Sequence, residues 1–431
     1  MFDLLGLERA LVLHPYDKKK GNGLRLPEEC LGEAVGLAQA IKLDVVFSDI
    51  QSINRIRPAT FFGLGSVKTY KHLIERECIS IVFIDTPLTP IQQRNLEIQW
   101  SCKVVDRTGL ILEIFGKRAR TREGKLQVEL AHLSYQRSRL VRSWTHLERQ
   151  RGGFGFLGGP GETQIESDRR QIDTRISRLK KELSKVTQTR SLHRRARNKI
   201  PFPVVALVGY TNAGKSTLFN LLSGAKVEAV DQLFATLDPT MRAITLPASR
   251  KKIILSDTVG FVSSLPTTLV ASFKATLEEV LEADLILHVR DISHSDSKAQ
   301  KEDVFAVLGE LGVAEGRLKS IVEVKNKIDL ICEKQKVKIN HIDKESIYIS
   351  AKTGEGCDDL LELIENKLNL FQDVIELKLS VAEGDIIAWL YRNGEIISRE
   401  DSEEEIFLRV GLQSANLGRF YQRFPKYGKI K

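Results

Sequence analysis

Short apolar runs alternate with amphipathic stretches over residues 1 to about 121. ALVLH (10–14), DVVFS (44–48) and ISIVFID (79–85) have the continuous apolar character of buried strands, and residues 28–42 and 90–99 have helical spacing. Buried strands separated by helices predict an N-terminal α/β domain with a largely parallel sheet over 1–121. The pattern changes over 122–199. Leu126, Leu130, Leu133, Leu140, Trp144 and Leu147 recur at three, four or seven residues, as do Ile165, Ile172, Ile176, Leu179, Leu183 and Val186. Each set is one stripe along a helix. Between them RGGFGFLGGPGE holds six glycines and a proline in twelve residues, which neither helix can cross. The expectation is an antiparallel helical hairpin with a Gly-rich tip, followed by a basic linker. A second α/β domain is expected over 200–371. A small C-terminal α+β domain is expected over 372–431, with IIAWLYR (386–392) and EIFLRVG (405–411) as strands. No repeat of solenoid period is visible.

Composition narrows the class. A chain of 431 residues suggests roughly three domains. Its 42% hydrophobic and 28% charged residues are those of an ordinary globular protein. No window approaches the ~18–20 continuous apolar residues of a membrane span. The first residues lack the basic start and cleavage site of a signal peptide. Five scattered cysteines, with no zinc-type spacing, point to free thiols in a reducing compartment. The expected location is cytoplasmic, with association at a membrane surface left open, and the expected state is a monomer.

The net charge of +9 is unevenly placed. Residues 101–200 hold 24 Lys+Arg against 10 Asp+Glu, whereas residues 1–100 balance at 12 and 12. The hairpin therefore carries the excess, with Arg137, Arg139, Arg142, Arg169, Arg170, Arg175, Arg178, Lys180, Lys181 and Lys185 expected on its outer faces. Such a concentration favours phosphate backbones; a solvated, salt-bridged surface is the alternative.

The chemistry lies in the third segment. The apolar strand VVALVG (204–209) runs into Gly209-Tyr210-Thr211-Asn212-Ala213-Gly214-Lys215-Ser216-Thr217 and then a helix, the strand–loop–helix setting of a phosphate-binding P-loop. Backbone amides and the helix N-terminus cradle the phosphates, Lys215 neutralises them, and Ser216 offers its hydroxyl to Mg²⁺. KIILSD (252–257) delivers Asp257-Thr258-Val259-Gly260, with Asp257 placed toward Mg²⁺ and the Gly260 amide toward the γ-phosphate. SIVEVKNKID (320–329) delivers Asn326-Lys327-Ile328-Asp329. The Asp329 carboxylate accepts the N1–H and N2–H₂ donors of guanine, which adenine lacks, so GTP is preferred to ATP. YISAKTG (348–354) supplies Ser350-Ala351-Lys352 for the guanine oxygen. A threonine must complete the Mg²⁺ shell between the first two motifs, and Thr236 and Thr240 both qualify. Phe261 stands where many Ras-like GTPases place a water-orienting glutamine. Turnover of the free protein is therefore expected to be slow and partner-stimulated. Asn212 is the residue through which K⁺ could sit beside the phosphates.

GGPGETQIESDRR (158–170), VVDRTGLILEIF (104–115), RARTREGKLQVELAHL (118–133), GYTNAGKSTLFN, FATLDPT and DTVGFV together resemble the HflX family of translational GTPases, over about residues 5–371. The resemblance implies that GTP/GDP contacts lie at 209–217, at the switch segment Phe234-Ala235-Thr236-Leu237-Asp238, and at the three later motifs. It assigns Mg²⁺ to Ser216 and Thr236 and catalysis to Lys215, Thr236 and Gly260, and a hydrophobic residue at Phe261 agrees with it. It further implies the large ribosomal subunit and its rRNA as partners, with a role in splitting or rescuing ribosomes under stress. Its members' N-terminal domain has been suggested to bind nucleotide, but residues 1–121 contain no second P-loop. A switch signalling to a protein partner, a ribosome-assembly GTPase and an ATP-driven RNA-remodelling enzyme are the competing classes.

Overall fold

A computed structural model of the chain describes residues 8–17, 25–144, 160–197, 202–225, 233–234, 236, 239–263, 279–331, 346–370, 372–402 and 404–427. The N-terminal sheet contains β1 (Arg9–Asp17), β2 (Asp44–Ile53), β3 (Ile81–Ile84) and β4 (Lys103–Asp106), all parallel in the order β2-β1-β3-β4. Helices α1 (Pro27–Ala40), α2 (Leu64–Arg76), α3 (Pro90–Trp100) and α4 (Arg107–Arg118) cover both faces. Alternation along β1 explains the layering. Ala10 and Val12 pack with Leu37, Ile114 and Phe115 on one side. Leu11 and Leu13 pack with Tyr70, Leu96 and Trp100 on the other. Helix α3 starts at Thr89, which forms a capping box with Gln92 and is followed by Pro90.

Helices α5 (Arg122–Trp144) and α6 (Pro160–Arg197) run along each other. The tip residues 145–159, Leu147 among them, lie outside the described residues. The buried apolar side chains among the described residues of α5 are Val128 and Ala131, which join the core of the N-terminal sheet rather than the leucine stripe, and Gln127 is buried beside them. In α6, Ile176 and Leu179 are buried as the stripe requires. Part of the basic charge is spent inside the hairpin: Arg137 pairs with Asp173 at 2.8 Å and Arg175 with Glu129 at 2.6 Å. Arg139 corrects the outer-face expectation. It turns inward to buried Asp106 at 2.8 Å, beside the Tyr135 hydroxyl, which donates to the same carboxylate at 2.6 Å. Asp106 also caps α4 through the Gly109 amide.

The second sheet contains β5 (Val204–Val208), β6 (Thr240–Thr245), β7 (Lys252–Asp257), β8 (Leu285–Asp291), β9 (Val322–Asn326) and β10 (Ser346–Tyr348). Their order is β10-β9-β8-β5-β7-β6, parallel except for β6. It is packed by α7 (Lys215–Ser223), α8 (Ser297–Glu310), α9 (Glu315–Lys319) and α10 (Cys357–Leu370). The motif loops follow the carboxyl ends of its parallel strands, where open α/β sheets place ligands.

The last unit has β11 (Gln372–Ser380), α11 (Gly384–Asn393), β12 (Glu395–Asp401), β13 (Glu405–Gln413) and α12 (Ser414–Arg423), with the antiparallel order β11-β13-β12. EIFLRVG is a strand, but IIAWLYR is a helix. Its buried residues, Ile386 and Leu390, are four apart, and Trp389 packs beside them on Phe420. Spacings of one, three and four are helical, and β propensity is the weaker signal. Cys30, Cys78, Cys102 and Cys357 are free thiols. Among the described residues no helix is long and apolar enough to cross a membrane.

Candidate nucleotide-binding site

The loop after β5 wraps back onto the start of α7. Gly214 has φ +91°, and a Cβ there would lie 2.2 Å from Asn326 Nδ2, so both its backbone and its space require glycine. Asn212 takes φ +59°, a conformation asparagine tolerates, and its side chain stays exposed at the cavity. Lys215 is buried and donates to the Tyr210 carbonyl at 2.8 Å. Burial pushes its pKa down to about 8 against the pull of Asp257.

Three side-chain oxygens meet beside this lysine. Ser216 Oγ is 2.8 Å from Thr236 Oγ1, and both donate to Asp257 Oδ2, at 2.7 and 3.0 Å. Asp257 Oδ1 is buried and forms no hydrogen bond among the described residues. Burial raises the Asp257 carboxyl above the usual range, against Lys215 and the two hydroxyls. Clustered hard oxygens with a spare carboxylate lone pair suit Mg²⁺. Of the two candidate threonines, Thr236 joins this cluster; Thr240 opens β6, paired in register with Asp257.

Gly260 is pressed against the phosphate loop: a Cβ would stand 2.9 Å from Thr211 Cγ2 and 3.0 Å from Lys215 Nζ. The next residue extends the sheet, its N–H donating to Gly209 O at 3.1 Å and its carbonyl accepting from Thr211 N at 2.7 Å. Phe261 thereby buries its ring with Tyr210, Phe234, Val259 and Val262, away from the cavity lining.

At the far end Asn326 ties two loops together. Its Nδ2 donates to Ala213 O at 2.8 Å, and its Oδ1 accepts from Ala351 N at 2.9 Å. Asp329 Oδ1 accepts from Ser350 Oγ at 2.7 Å. Lys327, at φ +69°, pairs with Asp291 at 2.8 Å.

The cavity between these groups has a volume of about 320 Å³. It is lined by Thr211, Asn212, Gly214, Lys215, Ser216, Thr217, Phe234, Thr236, Thr258, Gly260, Asn326, Lys327, Asp329, Ala351 and Lys352 of the expected set. Gly209, Ala213, Asp257, Val259, Ile328 and Ser350 stand behind it, and Tyr210 points elsewhere. Ala235, Leu237 and Asp238 lie outside the described residues. Leu330 and Asp291 were missed. Asp291 ends the apolar run LILHVRD, a strand-end signal like those of the other motifs.

The larger omission is the first domain. Phe234, at the strained φ of +57°, meets Phe115 of α4 edge to face at 4.7 Å. Its neighbour Leu233 comes within 3.2 Å of where a Gly36 Cβ would be, on α1. Tyr210 donates to Glu33 and accepts from Ser263 N at 2.7 Å. Arg107 Nη2 donates to the Ser263 carbonyl at 2.9 Å and hydroxyl at 2.7 Å, and also binds Glu33. Its Nη1 binds Asp85, which accepts His14 Nδ1 at 2.8 Å. Burial pushes the Asp85 carboxyl up, but Arg107 and His14 outweigh it and hold it below the usual range. Arg25 completes the cluster against Glu33 and Asp303. Arg107 was visible in VVDRTG, but nothing local names a partner 156 residues away.

Four family descriptions match in succession: "GTP-binding GTPase N-terminal" over 28–116, "GTP-binding GTPase Middle Region" over 118–197, "50S ribosome-binding GTPase" over 204–327 and "HflX C-terminal domain" over 334–426. The likeness thus extends past residue 371 into the last unit. The chain is 49% identical over 421 residues to the GTPase HflX of Magnetococcus marinus, covering 98% of this chain and 96% of that one. It is 44% identical to the GTPase HflX of Escherichia coli, with coverages of 97% and 96%. Among solved structures it is similar to a GTP-binding protein from Sulfolobus solfataricus in complex with GDP, at 24% identity and a TM-score of 0.45, covering 84% of this chain and 99% of that one.

Proposed function

The chain belongs to the HflX family of GTPases, and on that premise we propose that it is a GTP-controlled switch on the large ribosomal subunit, acting in the splitting or rescue of ribosomes under stress. The observation that carries this reading is the charge on the middle segment, 24 Lys+Arg against 10 Asp+Glu over residues 101–200. Beside the internal ion pairs, among them Arg170 with Glu166 one turn back, Arg169, Lys180 and Lys181 of α6 are exposed. Phosphate contacts of this kind suit rRNA, while a protein-signalling switch has no need of them.

In this reading the amides before α7 and the Lys215 ammonium cradle the triphosphate. Ser216 and Thr236 would hold Mg²⁺, which supplies charge neutralisation at the transferring phosphate. Asp329 accepts the guanine donors, with Ser350 holding one of its oxygens. The Gly260 amide reports the γ-phosphate. Phe261 has no polar atom to orient water, so free-protein turnover is slow and rises on the ribosomal partner. Asn212 offers its carboxamide oxygen to K⁺ beside the phosphates. Equal hydrolysis rates in K⁺ and Na⁺ buffers would remove that assignment.

The test is co-sedimentation with purified ribosomal subunits at one stated salt concentration. Pelleting with the large subunit in a non-hydrolysable GTP analogue, and its loss in GDP, is the expected result. Absence of pelleting in both states would overturn the ribosomal reading and turn the search to a protein partner.

A further inference from the structure

Among the described residues, two segments of the nucleotide domain that border the cavity, at 233–236 and at 260–263, both make contacts with the N-terminal domain. The first segment sets Leu233 against the glycine surface of α1 at Gly36 and Phe234 against Phe115 of α4. The second is gripped at Ser263, two residues beyond Phe261, by Arg107 and Glu33. Glu33 holds the phosphate loop as well, through the Tyr210 hydroxyl. These contacts coexist with one arrangement of the switches, in which Thr236 has reached Ser216 and Asp257. That is the arrangement GTP and Mg²⁺ require, because a threonine hydroxyl must join the metal cluster when the γ-phosphate is present.

Phe234 supplies a second argument. A phenylalanine has no local reason to adopt φ +57°, so tertiary contact must hold it there. The ring beside it comes from α4, a helix of the other domain. Thr236 is two residues along the chain, so what fixes Phe234 limits where Thr236 can go.

We infer that the N-terminal domain is the element that selects GTP over GDP, through positioning residues Gly36 and Phe115 on the first switch and Glu33 and Arg107 on the second. Docking of that domain and ordering of the switches are then one equilibrium. By linkage, whatever loosens the docking weakens GTP more than GDP. None of these four residues touches the nucleotide cavity. The inference stands on the GTPase alone and is independent of the ribosomal reading.

The experiment compares dissociation constants for a fluorescent GDP and a fluorescent non-hydrolysable GTP analogue, at saturating Mg²⁺, in the full chain. Gly36→Leu directs a side chain at Leu233, the residue whose atoms come within 4 Å of a Cβ at that position. Phe115→Leu keeps apolar volume but removes the ring edge. Ser263→Ala removes only the hydroxyl shared by Arg107 and Glu33. Glu28→Gln, exposed on α1 away from the switches, is the control. Circular dichroism melts establish that each variant is folded. In Gly36→Leu, and in Phe115→Leu combined with Ser263→Ala, the analogue is expected to bind at least five-fold more weakly, with GDP within two-fold of the parent. Equal weakening of both nucleotides, or no change in either, would overturn the inference. Because Gly36→Leu leaves every buried charge in place, it decides the question even if the double variant does not fold.

Discussion

Asp329 sits at the base end of the cavity with one oxygen taken by the Ser350 hydroxyl, leaving its remaining lone pairs for guanine. Hydrogen bonds to a charged acceptor are worth roughly 1.5–3 kcal/mol each. Asp329→Asn exchanges an acceptor for a donor, which suits the C2 carbonyl of xanthine and clashes with the N2 amine of guanine. GTP affinity is expected to fall by at least about 100-fold and XTP affinity to rise. Competition binding with the two nucleotides checks this, and unchanged GTP affinity would refute the assignment. At this scale the sequence was most informative. A P-loop, DTVG, NKID and SAK each need particular atoms at fixed spacing, and the fold brings them around one cavity. Ser216, Thr236 and Asp257 illustrate the limit. Spacing left Thr236 and Thr240 equal on the residues alone, because the path of a loop depends on what it packs against.

Elements were legible where one period dominated. Strands β1 and β3 follow from continuous apolar runs, and the buried Ile176 and Leu179 of α6 follow from its stripe. DVVFS is a strand but not a buried one: β2 is the sheet's edge, with Phe47 42% exposed, and the buried residues of α5 lie off its leucine stripe. The segment 386–392 was misread because its apolar residues satisfy both periods over a short window, and the burial of Ile386 and Leu390 decides for the helix. The residue before that helix is Glu383, whose carboxylate accepts from the Tyr427 hydroxyl at 2.5 Å, Lys426 at 2.9 Å and the Ser380 amide at 3.0 Å. These donors, Tyr427 foremost, hold its pKa down at about 2, below the ordinary 4.5. A depressed carboxyl contributes stability that is fully present above the unfolded value and is lost as the proton binds. The C-terminal unit is therefore expected to loosen as pH falls from about 4.5 to about 2. Amide exchange over 372–427, corrected for intrinsic rates, follows it. Glu383→Gln should start looser at neutral pH and lose the dependence in that window; an unchanged pH profile would dismiss the contact.

On the scale of the whole molecule, the sequence exposed the separate units and hid their joints. Asp106 and Arg107 are consecutive, yet Asp106 binds Tyr135 and Arg139 of the hairpin while Arg107 binds Ser263 beside the nucleotide site. One peptide unit thus touches both the element proposed to grip rRNA and the element that binds GTP. Such a joint has no local pattern to read, because its partners are distant in the chain. It suits a protein whose hydrolysis rate answers to what the hairpin holds. Addition of large subunits is expected to raise single-turnover GTP hydrolysis by at least about ten-fold, a lower bound well under the roughly 10³–10⁵ that a partner-supplied arginine contributes to switch GTPases. Stimulation should shrink as salt rises, since phosphate contacts release counterions. A rate indifferent to subunits at every salt concentration would count against the coupling.

The cluster around Glu33 has a consequence for how the protein is made. Arg25 and Arg107 are opposed by Glu33 and Asp85, all four within the first 107 residues. The later domain adds the hydroxyls of Tyr210 and Ser263 and the single carboxylate Asp303. The first domain is therefore close to electrically complete by itself, and residues 1–144 produced alone are expected to melt cooperatively. During synthesis the N-terminal sheet emerges first and can close over its own counter-charges while the nucleotide domain is still being translated. The later domain then folds against a finished surface, to which it contributes mostly neutral donors, and no stranded ion has to wait for its partner.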